Sequence, residues 1–401
     1  MSRWILWIGR VFILLTALLT APGGAVPRAS LAAEAPDWVW NVLVIPPQEG
    51  WESEAGKSIL AVLSWHEADI AESGTGVGGH DLHFIPLETV HDPAAPNFKL
   101  PINAHTAAVM SFADTEVDRA LVQRLAGQET PLLLAGGEEV LIDRGGRPLP
   151  NVFALDLFRD YRSAAFANYA VQVLKPEAHV ALAASRFTVN QEREAKICYN
   201  LLDRAGFMPM PFWMDSSVSD TFSMVAQEIR SAADGVLIAF IGSMGSREMW
   251  RGFMRTQTPW RIWNCAMPEK SYLSCKGMIF ADQNLFLTDR GGFSELKQRL
   301  WYTRATHLTD IVAGGRAEAL TEWLTRGISA LPQPVDLLIR PALLTALERV
   351  RGIPFGVQTL DITPELHRPA SRQIYIAEVR EHSFFLLETV ATAALPFAPS
   401  Y

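Results

Sequence analysis

The stretch from His179 to Gly245 restricts the fold more than any other part of the chain. It opens on HVALAAS, an apolar run of the length a buried strand needs. From Asn190 to Ala205, the residues Cys198, Leu201, Leu202 and Ala205 recur at i, i+3, i+4 and i+7, one face of a helix. Gly206 closes that helix, since a residue that tolerates positive φ sits easily there. FMPMPFWM, a second helical pattern through Met224, Ile229 and Ala232, and the run GVLIAFIG follow. Strand, helix, strand, helix, strand with short links is a βαβαβ unit, whose parallel strands carry helices on both faces. Sheets of this kind bind ligands beyond the carboxyl ends of their strands. That edge falls at Ala184 to Phe187 and at Gly242 to Gly245.

The first residues are set apart from this pattern. Arg3 and Arg10 lie in a charge-poor start, Val11 to Ala21 is an apolar run, and small residues gather at Ala25 and at Ala32 and Ala33. The pattern is that of a secretory signal peptide over residues 1–33, with Ala25 as a second cleavage point and an uncleaved anchor as the alternative. Its apolar core is short for a membrane span. The expectation is an exported, periplasmic protein. A formal net charge of −8, with no clustered basic stripe, argues against a nucleic-acid partner. In an oxidising compartment Cys265 and Cys275, close in sequence, can form a disulfide or remain two buried thiols. Cys198 lies on the apolar face of its helix and reads as core. Three cysteines without ligand spacing make a poor zinc site, and nothing calls for a cofactor.

Earlier in the chain a second alternation is visible. WVWNVLVIPP reads as a strand, Ala55 to Glu72 as a helix, and DLHFIPLETV as another strand after the turn Gly74 to Gly79. AAVMSFAD, the helix Asp118 to Ala126 and TPLLLAGGEE continue it, and NVFALDLF links the two halves. RIWNCAMP and GMIFADQN read as outer strands of the second half. Helices follow over Phe293 to Thr303, Ala317 to Ile328 and Arg340 to Arg351. The chain then ends in GVQTLDIT, RQIYIAEVRE and SFFLLETV, with a hairpin turn at His382-Ser383.

Several motifs fall short of their chemistry. A phosphate loop starting at Gly50 would need glycine at position 51, where Trp51 stands, so Lys57 reads as part of an ordinary helix start. GTGVGG at 74–79 follows a helix and precedes a strand, the reverse of a dinucleotide site, and reads as a turn. IGSMG at 241–245 lacks the first glycine of a nucleophile elbow, and neither His307 nor His367 is marked as a base for Ser243. His66-Glu67 has Ile70 where a zinc-protease helix needs its second histidine. His80 and His83, three apart at a strand start, point to opposite faces. These absences leave a binding protein rather than an enzyme, with an exported hydrolase acting through Ser243 as the third and least favoured reading.

NVFALDLFRDYRSAAFANYA, HVALAASRFTVNQEREAKICYNLLDRAG, ADGVLIAFIG and the closing LDITPELHRPASRQIYIAEVREHSFFLL together resemble the type I periplasmic binding proteins of the leucine/isoleucine/valine-binding family. The resemblance spans nearly all of the chain after the signal. It implies an α/β fold of two Rossmann-like lobes joined by a three-segment hinge. The crossings would lie near Leu155-Asp156, Asp282-Gln283 and Gly352. Lobe one would be 34–155 with 283–351, and lobe two 156–282 with 352–395. It also implies a small-molecule ligand between the lobes, an ABC permease as partner, and a monomer.

By the same resemblance Trp51 covers the ligand and Thr115 stands where a serine holds a carboxylate. Gly136, Gly137 and Glu138 replace an alanine/threonine segment, and Phe187, Ser243 and Met244 form the opposite wall. Ala266 stands where an acidic residue usually holds the ligand ammonium, with Glu269 as a substitute three residues on. A second reading is a periplasmic partner of a sensor or respiratory enzyme, for which Trp213, Trp250, Trp260 and Trp263 would form an exposed interface.

Overall fold

Alternation along a single strand, β1 (Val39–Ile45), organises the first half of the molecule. Trp40, Val42 and Val44 enter one hydrophobic cluster and Leu43 and Ile45 another, because successive strand residues point to opposite faces. Both faces are covered, which is why the strand reads as one unbroken apolar run. The computed structural model describes residues 39–88, 99–136, 148–156, 160–185, 189–214, 235–241, 249–252, 254–255, 260–265, 273–282, 296, 298–299, 311–332, 339–355, 358–369, 373–381, 383–392 and 395.

After β1 come α1 (Glu54–Ser73), β2 (Asp81–Pro86), β3 (Thr106–Ser111), α2 (Thr115–Leu125), β4 (Leu132–Leu134) and β5 (Val152–Ala154). The five strands form one parallel sheet of order β2-β1-β3-β4-β5. Leu121 and Leu125 of α2 cover one face. The turn expected at residues 74–79 is present: Gly74 caps α1 in the left-handed region, and Gly76, Gly78 and Gly79 also have positive φ.

The second half continues with α3 (Asp160–Val173), β6 (His179–Ser185), α4 (Val189–Arg204), β7 (Met210–Met214), β8 (Gly235–Phe240), β9 (Arg261–Asn264) and β10 (Ile279–Asp282). Val180, Leu182 and Ala184 of β6 pack with α3 and α4, while Ala181 and Ala183 face a separate cluster on the far side. The chain then returns to the first sheet. Its helices α5 (Ile311–Ser329) and α6 (Arg340–Leu347) supply Leu320, Trp323, Leu324, Leu343 and Leu347 to the core that α1 also covers. The short antiparallel pair β11 (Ile353–Phe355) and β12 (Gln358–Leu360) follows. The hairpin β13 (Gln373–Arg380) and β14 (Ser383–Ala391) completes the second sheet, of order β14-β13-β10-β9-β8-β6-β7. This is the two-lobed α/β architecture expected.

Three expectations are corrected. The third crossing does not lie near Gly352, because Ile353, Phe355, Leu360 and Ile362 are buried in the first sheet's core. His367 belongs there too: its ring stacks on Phe153 at 4.7 Å, and its carbonyl accepts from Ala154 N at 3.1 Å. The chain therefore stays with the first sheet through His367 and reaches the second by Gln373. Second, β9 and β10 are interior strands, since the terminal hairpin pairs antiparallel with β10 and moves the edge out to β14. Third, Cys265 and Cys275 do not form a disulfide. Cys265 packs on the α3/α4 face of the second sheet and Cys275 on the opposite face, so the sheet separates the two sulfurs.

Candidate functional site

All strands of the first sheet are parallel, so their carboxyl ends form one edge, and the links leaving that edge build the candidate site. The link after β1 is pinned in place. Gly50 takes a φ of 78°, its N–H donates to Pro47 O at 2.8 Å, and Ser53 Oγ donates to Gly50 O at 2.7 Å. Ser53 is also the N-cap of α1, accepting from Gly56 N at 3.0 Å. A β-carbon at Gly56 would lie 2.4 Å from Gly50 O and 2.6 Å from Trp51 Cα, so glycine lets the link fold back over the helix start. Trp51 then donates its indole N–H to Leu87 O at 2.6 Å, tying this link to the end of β2.

At the end of β3, Ser111 Oγ donates to Asp118 Oδ1 at 2.6 Å. Asp114 caps α2 by accepting from Glu116 N at 3.0 Å and Val117 N at 2.9 Å. Thr115 is the first residue of that helix. Gly136 follows the end of β4, where Ala135 N donates to Ser111 O. Trp51, Thr115 and Gly136 are thus brought to one edge by adjacent segments. Gly137, Glu138, Phe187, Ser243, Met244, Ala266 and Glu269 lie outside the described residues, as do His307 and residues 1–33. The strands that precede the second-lobe residues, β6, β8 and β9, lie side by side and end at a common edge.

Sequence reasoning missed a set of ion pairs with buried carboxylates at the two carboxyl edges. Asp156, just past β5, pairs with Arg316 of α5, which fastens this crossing to the first lobe. Asp160, the first residue of α3, pairs with Arg193 of α4, which fastens the same crossing to the second. Arg162 lies 3.6 Å from Glu194 and 4.0 Å from Asp282, whose side chains are 4% and 2% exposed. Four carboxylates and three guanidiniums therefore gather where the chain passes between the sheets. The signal available beforehand was FRDYR, charged residues at the start of a helix whose next residues are apolar. Beside them, burial pushes the Cys265 thiol well up, and Glu194 adds to the effect. Burial likewise raises Cys198.

No group of histidine, cysteine and acidic side chains among the described residues could hold a metal ion. No helix among them is long and apolar enough to cross a membrane. Trp260 and Trp263 are buried, and Trp213 and Trp250 are half-buried against the second lobe's two clusters. An exposed tryptophan interface is therefore missing among these four.

No protein-family model and no curated protein sequence matches the chain. Solved structures do match, over about nine-tenths of the chain. A solute-binding protein of an ABC transporter from Rhodopseudomonas palustris, in complex with 3,4-dihydroxybenzoic acid, is 14% identical with a TM-score of 0.68, over 90% of this chain and 99% of that one. A leucine-binding protein from Thermotoga maritima is 12% identical with a TM-score of 0.67, over 88% and 98%. A fatty acid ABC transporter substrate-binding protein from Thermomonospora curvata is 14% identical with a TM-score of 0.66, over 88% and 92%. The chain has the two-lobed fold of type I periplasmic binding proteins.

Proposed function

We propose that this protein is the solute-binding component of an ABC importer, a receptor that closes its two lobes over a small polar solute and breaks no bond. The observation that carries the reading is the pair of sheets whose carboxyl edges receive the crossings and the Trp51, Thr115 and Gly136 links. Solute contacts made from both lobes stabilise the closed arrangement over the open one, which is the basis of hinge closure. Three structural neighbours are described with dihydroxybenzoic acid, leucine and fatty acid, all of which carry a carboxylate. That supports an amino acid or a related carboxylate or amide as the solute. On this reading Phe187, Ser243 and Met244 form the second wall, and Ala266 leaves the ammonium position without its acid. The residues 1–33 direct export to the periplasm, and a monomer delivers its solute to a membrane permease.

A thermal-shift screen against α-amino acids, amides, short fatty acids and aromatic acids tests this. Saturation at a hundredfold Kd adds about 2.7 kcal/mol, a rise of a few degrees in a chain of this size. The expected result is a hit among carboxylates, with X-ray scattering showing a smaller radius of gyration once the hit is bound. Silence across the panel, or binding without compaction, would overturn the reading.

A further inference from the structure

A cavity lies away from the carboxyl edge, between the end of α5 and the length of α6. Its volume is about 420 Å³ smaller than the upper end of the usual ligand-pocket range of about 1,000 Å³, at ≈ 580 Å³. Leu331, Val350, Ala342 and Ala346 contribute an apolar floor, and the two alanines leave the space between the helices open. Arg326, Arg349 and Arg351 complete it, and no acidic side chain lines it among the described residues, in a chain whose net charge is −8.

The arginines are partly held. Arg326 Nε donates to Glu322 Oε1 at 2.6 Å and its Nη1 to Arg351 O at 2.9 Å, while Arg351 Nη1 donates to Val350 O at 3.2 Å. Two of these bonds end on carbonyls just past α6, and Arg326 lies in the last turn of α5, where a cation is favourable. They use only part of two guanidiniums with five N–H groups each. Arg349 is exposed, with no ion pair among the described residues. Arg316 meets Asp156 at the ligand edge, and Arg326 is ten residues further along α5, about 15 Å at 1.5 Å per residue. The two sites are separate.

We propose that this cavity binds an anionic amphiphile, a phosphate or carboxylate head on the arginines with a short apolar chain along the α5/α6 floor. Guanidiniums match such heads in bidentate geometry, and the floor removes the chain from water. The head could belong to a free molecule or to a lipid, and the test separates the two sources.

Isothermal titration of the full chain with octyl phosphate should show saturable one-to-one binding. Arg349→Ala with Arg351→Ala should weaken it roughly tenfold or more. Ala346→Phe, which fills the floor and keeps every charge, should weaken it as well, so loss in both variants with unchanged thermal stability supports the site. Inorganic phosphate should bind at least roughly tenfold more weakly than octyl phosphate. Co-sedimentation with phosphatidylglycerol vesicles, in addition to octyl phosphate binding, assigns the lipid source; its absence assigns the free molecule. Three results would overturn the proposal: no saturable binding, binding untouched by the arginine substitutions, or vesicle binding without octyl phosphate binding.

Discussion

Glu194 and Asp282 are almost fully buried carboxylates, and the Arg162 guanidinium lies within 4.0 Å of both. Replacing it by methionine keeps most of the volume and withdraws the positive charge, which for a buried pair costs about 3–5 kcal/mol. Urea denaturation of Arg162→Met should show a loss of that order, and adding Asp282→Asn should restore part of it. Two histidines, His66 on α1 and His83 on β2, give a second measurement. The hydrogen bond that His83 Nδ1 donates to Glu67 Oε1, 3.0 Å away, holds His83 above the usual histidine value, whereas burial draws His66 below it, against the opposing pull of Glu322 and Asp69. NMR titration should find the two midpoints on either side of 6.5, with His83 returning toward that value in Glu67→Gln. The stability effects run oppositely. The unfolded chain takes up a proton before His66 does, so its contribution is present above pH 6.5 and lost as the pH falls. The His83 contribution is present below 6.5 and lost as the pH rises through its raised midpoint. None of these partners was legible beforehand. Arg162 and Asp282 are 120 positions apart, and nothing in local spacing joins them.

At the scale of elements, local pattern carried further. β1, α1, β6, α4 and the terminal hairpin fall where apolar periodicity put them, because each has one or two faces to bury. What periodicity does not encode is which sheet an element joins. GVQTLDIT reads as a strand wherever it packs, and here Leu360 and Ile362 sit in the first core. The interior position of β9 and β10 was hidden for the same reason, since a buried strand and an outer one differ in their neighbours. The candidate ligand edge was legible as strand ends, and the turn at Gly50 shows what fixes it in space. Gly56→Ala would press a methyl against the Gly50 carbonyl and the Trp51 backbone, atoms that cannot move without the whole link. The expected cost is about 1–3 kcal/mol, read by denaturation, with a shifted tryptophan emission as the Trp51–Leu87 bond is displaced.

At the scale of the whole molecule, both sheets depend on chain that comes late. The first sheet is complete in strands by Ala154, but one of its faces is closed by α5 and α6. The second has its parallel strands by Asp282, yet its outer side waits for the hairpin that begins at Gln373. A chain emerging from the ribosome is therefore left with an open apolar face on one half until α5 and α6 are made, and with a bare strand edge on the other until β13 and β14 follow. Such a polypeptide stays unfinished for most of its synthesis, a state suited to being threaded through a narrow channel and to being held by a chaperone. Any product that stops short of β13 would be a substrate for proteases rather than a half-working protein.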